Sequence, residues 1–467
     1  HSRNWRCGER AVQPATGYRR PAVDGRKQMS SVFYRSPKNR YPRGVRAEGV
    51  YVYDETGKQY LDASGGAAVS CLGHGNPDVI AVIQAQVGEL AYMHTAFFTN
   101  EPQEKLAARL AERFGEDNAR VYFLSSGSEA NETAIKLARQ YWLAKGKTDK
   151  HIVISREQSY HGNTLGALSV SGNPMRRAIF EPCLHDWPRI EPCYAYRHQA
   201  EDETDEDYGE RAAQALEDAI VEHGADRIAA FIAETVVGAT LGAVPPTGPY
   251  LKRIREICDR HDVLLILDEV MAGSGRAGTY FAFEQDGVRP DITTIAKGLG
   301  GGYQPIAAAI VRGFVHDTIV DAFSFFEHGH TNIGHETGCA AALAVSDALD
   351  RDNLLSRVGT ISEELFGELK IAFGDHPNVG NIRGRGLFIG IELVEDRDTK
   401  KPVDRSYGSM IKQAAMSEGL IIYPGGRTAD GEQGAHILLA PPFIYEPKHV
   451  EELVAKLQTV LKAVGLE

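Results

Sequence analysis

The sequence has no apolar run that approaches the ~20 residues of a membrane-spanning helix, and it has no excess of basic residues. Its 51 Lys and Arg residues are outnumbered by 63 Asp and Glu residues, which gives a formal net charge of −12. This balance argues against nucleic acid or an anionic membrane as the main partner. It leaves open a small anionic substrate, because such a ligand responds to local charge.

Cysteine is scarce, and the few residues are scattered without the paired spacing of a zinc site. The six are Cys7, Cys71, Cys183, Cys193, Cys258 and Cys339. In a chain of 467 residues they are typical of reduced thiols, so we expect a cytoplasmic protein.

The first 28 residues lack the apolar core of a secretory signal peptide and are rich in Arg and poor in acidic residues. An organellar transit peptide has such a composition, and so does a tag or a leader ahead of Met29. We expect residues 1–28 to be a leader or a tag without fixed structure, and they take no part in the predicted fold.

Apolar runs typical of strands alternate with helical segments through the middle of the chain. This alternation predicts an α/β fold whose mostly parallel sheet is covered by helices on both faces. The predicted strands are Val121–Leu124, Ile152–Ile154, Ile228–Ala233, Val263–Leu267, Ile292–Ile295 and Ile306–Val311, and the predicted helices include Ser128–Lys145 and Tyr250–His261.

We expect a large domain and a small α+β domain. Residues 29–75 would begin the small domain, with a hairpin turn at Asp54-Glu55-Thr56-Gly57, and residues 76–335 would form the large one. Residues 336–467 would complete the small domain. They contain helical signals over 336–373, strand-like segments at 386–394 and 436–440, and a terminal helix over 447–464. The acidic run 201–210 has no apolar period and is interpreted as a solvated surface insertion.

The pair of residues that carries most information is Asp268 and Lys297. Asp268 follows a buried apolar run, so it lies where open α/β sheets hold their ligands. Lys297 stands in Ala296-Lys297-Gly298, beside glycines at a second strand-to-loop junction. Pyridoxal phosphate (PLP) needs a lysine for a Schiff base and an acidic partner for its ring nitrogen. Alone, the Asp could be a turn or cap residue and the Lys a solvated loop residue.

Three further segments suit such a cofactor. The turn Ser126-Gly127-Ser128 opens a predicted helix whose free N–H groups can bind a phosphate, although a plain serine cap would look similar. Tyr160, in Tyr160-His161-Gly162, can stack on a flat ring. The segment 328–335 holds three histidines, but its spacing and the missing carboxylates favour Thr331 as a phosphate contact over a metal site.

These motifs occur in the order and spacing of the class III aminotransferases, which the chain resembles from about Val45 to its C-terminus. The resemblance rests on the segments 126–132, 160–162, 268–270, 296–298 and 329–331. It implies a PLP-dependent enzyme of fold type I, the aspartate aminotransferase-like fold, acting as a homodimer with shared active sites or as a tetramer.

The resemblance also implies a role for each matching residue. Lys297 would hold PLP and move the proton, and Asp268 would pair with the ring nitrogen. Val270 and Tyr160 would pack on the two ring faces. The other cofactor-binding positions are Ser126, Gly127 and Ser128 at the phosphate, His161 and Glu234 beside the ring, and Thr331 reaching the phosphate of the neighbouring subunit.

At the positions expected to contact substrate, this chain differs from the residues that are usual in the family. Ala68 stands where many amine-specific members carry Trp, and Thr235 stands where Pro is common. Arg427, in Gly425-Gly426-Arg427-Thr428, resembles the mobile arginine of ω-transaminases and could bind a keto-acid carboxylate bidentately. A solvated loop arginine is the alternative at this position.

We therefore predict an aminotransferase that moves an amino group from an amine, a diamine or an ω-amino acid to pyruvate or 2-oxoglutarate. An aminomutase or a decarboxylase of the same fold is the alternative. A non-catalytic binding protein of this fold would not need Lys297 together with Asp268.

Overall fold

The computed structural model describes residues 30–36 and 39–466. The predicted leader, residues 1–28, lies outside them. The chain divides into a first unit that ends at Arg43 and a second unit that begins at Gly44. The described residues of the first unit contain no helix or strand, so all the elements that follow belong to the second.

The strands of the second unit are β1 (Gly44–Glu48), β2 (Tyr51–Asp54), β3 (Gln59–Asp62), β4 (Arg120–Leu124), β5 (Ile152–Arg156), β6 (Arg189–Ile190), β7 (Ile228–Glu234), β8 (Leu264–Asp268), β9 (Ile292–Ile295), β10 (Ala307–Val311), β11 (Val379–Arg385), β12 (Phe388–Asp396), β13 (Lys401–Pro402), β14 (Leu420–Ile421), β15 (Tyr423–Gly426) and β16 (Ala435–Leu439).

The helices are α1 (Gly65–Ala68), α2 (Pro77–Glu89), α3 (Glu101–Phe114), α4 (Gly127–Ala144), α5 (Leu165–Ser169), α6 (Pro174–Arg177), α7 (Ala195–His198), α8 (Asp205–His223), α9 (Tyr250–Arg260), α10 (Gly313–Phe323), α11 (Glu336–Arg351), α12 (Leu354–Phe373), α13 (Tyr407–Ser417) and α14 (Pro447–Ala463). Short 3-10 turns cover Glu181–Cys183, Ala282–Asp286 and Lys297–Leu299.

The central sheet has the strand order β4-β10-β9-β8-β7-β5-β6. Neighbours from β9 to β6 are parallel, and β10 alone runs antiparallel to both of its neighbours. Strands β5, β7, β8, β9 and β10 are buried along their whole length, as expected where helices cover both faces of a sheet. The predicted α/β fold with a mostly parallel sheet is confirmed.

The register of the central sheet aligns three polar residues at its carboxyl edge. Glu234, the last residue of β7, is paired with Asp268, the last residue of β8. Asp268 is in turn paired with Thr294 of β9, three residues before Lys297. The sheet therefore gathers two carboxylates and the lysine turn in one place.

Two smaller sheets involve the ends of this unit. One has the order β1-β2-β3-β14, in which the N-terminal strand β3 pairs in parallel with the C-terminal strand β14. The other has the order β11-β12-β16-β15. The hairpin turn predicted at Asp54 is present, because Asp54 Oδ1 accepts a 2.8 Å hydrogen bond from the N–H of Thr56 between β2 and β3. The exact division into a large and a small domain stays a prediction.

The start of α8 and strand β11 were not predicted, whereas the helical signals over 336–373 are confirmed and form two helices. The acidic run 201–210 is largely exposed, as expected of a solvated surface segment, but α8 begins within it. Thr204 Oγ1 accepts a hydrogen bond from the N–H of Asp207, and the acidic side chains of the first turn face the positive end of the helix. The helical segment 336–373 breaks into α11 and α12 at Asn353, whose φ is +50°. Strand β11 was not predicted, because its sequence, VGNIRGR, contains polar residues and glycines.

No helix among the described residues combines the length and the apolar character needed to cross a membrane. The cysteines in the described part of the chain are all free thiols, and only Cys183 is exposed.

Candidate active site

Asp268 lies at the carboxyl end of β8 and is held by three donors. Its Oδ2 lies 2.8 Å from Nδ1 of His161 and accepts a 2.8 Å hydrogen bond from Nδ2 of Asn131. Its Oδ1 accepts a 2.9 Å hydrogen bond from the N–H of Val270. Asp268 is 5% exposed and His161 is 2% exposed. Since a carboxylate oxygen can accept about two hydrogen bonds, Oδ1 retains room for one more donor.

Asn131 connects this carboxylate to the surrounding elements. Its amide also donates to the backbone carbonyl of His161 at 2.7 Å, and its Oδ1 accepts a 2.7 Å hydrogen bond from Oγ1 of Thr294. Asn131 is thus a positioning residue that fixes the direction of Asp268. It lies in the predicted phosphate-binding motif, but no role was predicted for it, because only the packing of α4 against the sheet brings it to β8 and β9.

Lys297 begins the short turn that follows β9. Its φ of +47° lies in the left-handed region, which a residue with a Cβ occupies at a cost of roughly 1–3 kcal/mol and which is found mainly at functional sites. Burial lowers the pKa of Lys297 from 10.5 to about 8, against the opposing effect of Asp268 and Glu234. The amine can therefore be neutral at a pH close to neutrality, as a general base requires.

Glu234 ties the end of β7 to the loop that carries Tyr160. Its Oε1 accepts a 3.0 Å hydrogen bond from the N–H of Tyr160, and its Oε2 accepts one of 2.8 Å from the N–H of Gly238. Burial raises the pKa of this carboxyl.

The unusual Thr235 has a structural explanation. Its hydroxyl donates a 2.6 Å hydrogen bond to Oε1 of Glu269, which is 1% exposed and also accepts hydrogen bonds from the N–H groups of Ala282 and Phe283. Burial raises the pKa of Glu269 to about 7. The Thr235 hydroxyl thus satisfies one oxygen of a buried acid.

The turn before α4 packs directly against Val270. A Cβ placed on Gly127 would lie 2.8 Å from Cγ1 of Val270, so only glycine allows this approach. Ser126 caps the helix, because its Oγ accepts a 3.3 Å hydrogen bond from the N–H of Glu129. The serine cap considered from the sequence is thus present, and a phosphate contact by Ser126 stays a prediction.

Ser128 joins the same turn to the loop after Tyr160. Its Oγ accepts a 3.0 Å hydrogen bond from the N–H of Asn163. Gly162 adopts a φ of +142°, and a Cβ there would lie 2.6 Å from the same hydroxyl oxygen. The two loops therefore form one compact surface at the start of α4, where the positive end of the helix suits an anion.

An arginine that the sequence did not single out also lies at this surface. The guanidinium carbon of Arg176, on α6, lies 4.2 Å from the centroid of the half-buried Tyr160 ring. Its charge is close enough to Lys297 to contribute to the lowered pKa of that lysine. No sequence signal marked Arg176, because the segment around it has neither a regular period nor a familiar motif.

Thr331 is not joined to these residues within one chain. It is exposed on the loop between α10 and α11, and its carbonyl accepts a 2.8 Å hydrogen bond from the hydroxyl of Tyr92. Among the described residues, no hydrogen bond links Thr331 to Lys297, Asp268 or Ser128.

The two predicted substrate residues share a strained backbone with Lys297. Ala68 has a φ of +63° and Arg427 has a φ of +66°. Ala68 is 3% exposed and packs in an apolar cluster with Met271 and Ala272, on a short helix that contacts the lysine turn. Arg427 is half-buried on the loop between β15 and β16. Whether either residue touches substrate stays a prediction.

Comparison with known proteins identifies the family. The sequence matches the family described as aminotransferase class-III over residues 36–461, and the chain belongs to it. An uncharacterized aminotransferase from Schizosaccharomyces pombe is 45% identical over 441 residues, 94% of this chain and 96% of the relative. A chloroplastic gamma aminobutyrate transaminase 3 from Solanum lycopersicum is 36% identical and is covered over 80% of its length by 89% of this chain. The ω-transaminase of Pseudomonas jessenii in complex with PMP is 32% identical, with a TM-score of 0.85 over 90% of this chain and 92% of that one.

The predicted enzyme class and the predicted cofactor, PLP, are thereby confirmed, and the site fits that cofactor. Asp268 offers an oxygen with remaining capacity for a ring N–H. Gly127 leaves the space beside Val270 that any Cβ would fill, and Lys297 supplies an amine with a lowered pKa. Among the described residues, no group of three or more His, Cys, Asp or Glu side chains is arranged to hold a metal ion.

Proposed function

We propose that the enzyme transfers an amino group from an amine, a diamine or an ω-amino acid to a keto acid, either pyruvate or 2-oxoglutarate. The observation that carries this proposal is the Lys297 amine, with its pKa lowered to about 8, at the same sheet edge as the fixed Asp268 carboxylate. The similarity to a gamma aminobutyrate transaminase and to an ω-transaminase supports donors whose amino group is remote from any carboxylate.

Each predicted site residue has a place in this proposal. Lys297 would hold PLP through its amine, and Asp268 would accept the hydrogen bond of the ring nitrogen. Tyr160 and Val270 would enclose the ring, and His161 and Glu234 would support it from behind. The phosphate would be bound by Ser126, Gly127 and Ser128, together with Thr331 from a second copy of the chain.

The residues of this chain supply charge, orientation and a proton carrier. Bound PLP supplies the electron sink that makes the substrate Cα–H acidic. The Asp268 carboxylate, held in direction by His161 and Asn131, stabilises a proton on the ring nitrogen. Nζ of Lys297 would take the proton from the substrate Cα and pass it on to the cofactor carbon, and a pKa near the working pH favours both transfers.

Arg427 is our candidate for the carboxylate of the keto acid. It lies on a loop that reaches the helix beside Tyr160, since a Cβ on Gly431 would lie 3.1 Å from Cγ of Pro174. A guanidinium on such a loop can pair bidentately with a carboxylate and can move away when an apolar amine occupies the site.

We further propose that the enzyme is a cytoplasmic homodimer with shared active sites, or a tetramer built from such dimers. Phe97 and Phe98 are 78% and 61% exposed, and Phe325, on the same loop as Thr331, is 57% exposed. Large aromatic side chains exposed near a predicted cofactor contact are a reason to expect a second chain there.

The direct test incubates the purified holoenzyme with single amines, diamines and ω-amino acids, each with pyruvate or 2-oxoglutarate. We expect formation of the carbonyl product from the donor together with alanine or glutamate from the acceptor. Release of CO2 would instead identify a decarboxylase. A shift of the amino group within the donor, without any acceptor, would identify an aminomutase.

A further inference from the structure

Arg176 and Arg177 are neighbours on α6 with opposite environments. Arg177 is 3% exposed, and its guanidinium donates to the carbonyls of Leu168, Ser169 and Ser171 and pairs with Glu181. The hydrogen bonds of the Arg177 guanidinium therefore stabilise the local backbone. Arg176 is half-buried, and within residues 30–36 and 39–466 no carboxylate forms an ion pair with it.

The described contact of the Arg176 guanidinium is with the ring of Tyr160, at 4.2 Å from guanidinium carbon to ring centroid. Stacking on an aromatic face leaves the edge of a guanidinium available, and its N–H donors point outward in that plane. The arginine is therefore oriented by the ring while its fork of donors stays available to an anion.

The tyrosine that orients Arg176 is itself anchored to the active site. The N–H of Tyr160 is bound by Glu234, and the N–H of His161 donates to Oγ of Ser171 at 2.8 Å. Arg176 also acts on Lys297 electrostatically, in the direction that lowers the pKa of the lysine. A positive charge that forms no ion pair with any carboxylate in the described part of the chain is thus fixed near enough to the reacting amine to lower its pKa.

We propose that Arg176 binds the substrate carboxylate adjacent to the carbon that exchanges its amino group, and so makes α-keto acids and α-amino acids the substrates of one half-reaction. This inference rests on the proposed function and divides the carboxylates between two arginines: Arg176 takes the one next to the reacting carbon, which is the only one in pyruvate, and Arg427 takes the distal one of an acceptor such as 2-oxoglutarate. An amine without a carboxylate makes no use of Arg176. The contact between the Arg427 loop and the first residue of α6 places the two arginine-bearing segments side by side, which suits acceptors with two carboxylates.

The same anion chemistry has a second source, the phosphate of PLP. The two sources are separable because a phosphate contact changes the affinity for the cofactor, whereas a substrate contact changes the affinity for carboxylates. The experiment therefore measures both quantities in each variant.

The test compares the holoenzyme with Arg176→Met, Arg176→Lys and, as a matched control on the same helix, Met175→Ala. Met175 is 49% exposed and has no place in the proposed site. Propionate, a carboxylate that cannot react, is titrated by calorimetry. The half-reactions with pyruvate and with butylamine are followed separately, and PLP affinity is measured by reloading the apoenzyme.

We expect Arg176→Met to weaken propionate binding and to lower kcat/KM for pyruvate by about tenfold to a hundredfold, the usual effect of losing a charged hydrogen-bonding pair. PLP affinity should stay within about twofold of the wild type. Butylamine turnover should fall much less than pyruvate turnover, because it loses only the electrostatic effect of Arg176 on Lys297. Arg176→Lys should recover part of the loss, because it keeps the charge but not the fork, and it replaces the Met variant if that variant fails to fold. Met175→Ala should match the wild type.

Unchanged propionate binding in Arg176→Met would overturn the proposal, and so would a loss confined to PLP affinity, which would assign the arginine to the phosphate. If the wild-type enzyme transaminated no donor at all, the proposed function would fail. The propionate titration would still decide the role of Arg176.

Discussion

Nδ1 of His161 lies 2.8 Å from Oδ2 of Asp268, and both side chains are almost completely buried. Because the carboxylate can only accept, Nδ1 carries the proton, while Nε2 of His161 has no hydrogen-bond partner among the described residues. The imidazole therefore acts as a fixed donor behind the acid. It holds the Asp268 carboxylate in one orientation toward the site.

The first prediction concerns the charge of Asp268. Asp268→Asn should keep the fold but lower kcat on the order of a hundredfold or more, because the amide cannot stabilise a protonated ring nitrogen. His161→Asn should lose much less, since the asparagine amide can still donate to Asp268. Steady-state kinetics with circular dichroism as the folding control measure both. A near-normal kcat in Asp268→Asn would show that the acid is only structural.

The second prediction concerns the identity of the cofactor lysine, for which the chain contains its own control. Burial lowers the pKa of Lys150 to about 8, as it does for Lys297, but Nζ of Lys150 donates to the carbonyls of Ala225, Ile228 and Asp262. Borohydride reduction of the holoenzyme should fix the cofactor to Lys297 and leave Lys150 unmodified, as read by peptide mapping. Lys297→Ala should bind PLP non-covalently and lose transamination. Cofactor attached to any other lysine would contradict the assignment.

The third prediction is the titration of Lys297 in the apoenzyme. Acylation of its amine should rise with pH through a midpoint near 8 and not near the ordinary 10.5, because only the neutral form reacts. Asp268 opposes this lowering by favouring the ammonium form, so Asp268→Asn should move the midpoint further down. Competitive labelling with mass spectrometry measures each midpoint. An unchanged midpoint in the variant would show that the two groups do not interact, and an upward movement would contradict the stated sign of the interaction.

The sequence predicted the elements whose pattern is local and strong. The apolar runs of β7, β8 and β9 identified the central sheet, and the positions of Asp268 and Lys297 followed from where those runs end. Asn131 and Arg176 could not be found in this way. Asn131 meets Asp268 only because α4 crosses beneath the sheet, and Arg176 meets Tyr160 only because a short irregular segment folds back over the ring.

The acidic segment 201–210 shows that charge in the sequence is not enough to predict secondary structure. Its charge suggested a solvated insertion, yet acidic residues in a first helical turn after a Thr cap are also a helix start signal. The buried Tyr208 settles the structure in favour of the helix. Charge alone could not distinguish the two, because both place the carboxylates in water.

The fourth prediction tests the shared active site. If Thr331 binds the phosphate in the neighbouring chain, Thr331→Val should weaken PLP binding, and a mixture with Lys297→Ala should regain activity. One site of each heterodimer then combines an intact Lys297 from one chain with an intact Thr331 from the other. Activity is measured after the two variants are unfolded and refolded together, with each variant refolded alone as the control. No recovery would place Thr331 in the site of its own chain, and sedimentation of a fully active monomer would refute the dimer.

The last prediction concerns substrate size at Ala68. This residue is small, 3% exposed and packed beside Met271, on the segment that contacts the lysine turn. If it borders the substrate space, Ala68→Trp should lower kcat/KM for long or bulky amines by about tenfold or more and affect short amines much less, because added bulk penalises only substrates that use the space.

Ala68→Gly is the matched control. It removes the methyl group and accepts the φ of +63° without strain, so it should keep both classes of donor within about twofold. The readout is kcat/KM for a series of linear amines of increasing length, with the melting temperature of each variant measured alongside. An equal loss for short and long donors, accompanied by a lowered melting temperature, would show that Ala68 belongs only to the apolar cluster and does not border the substrate.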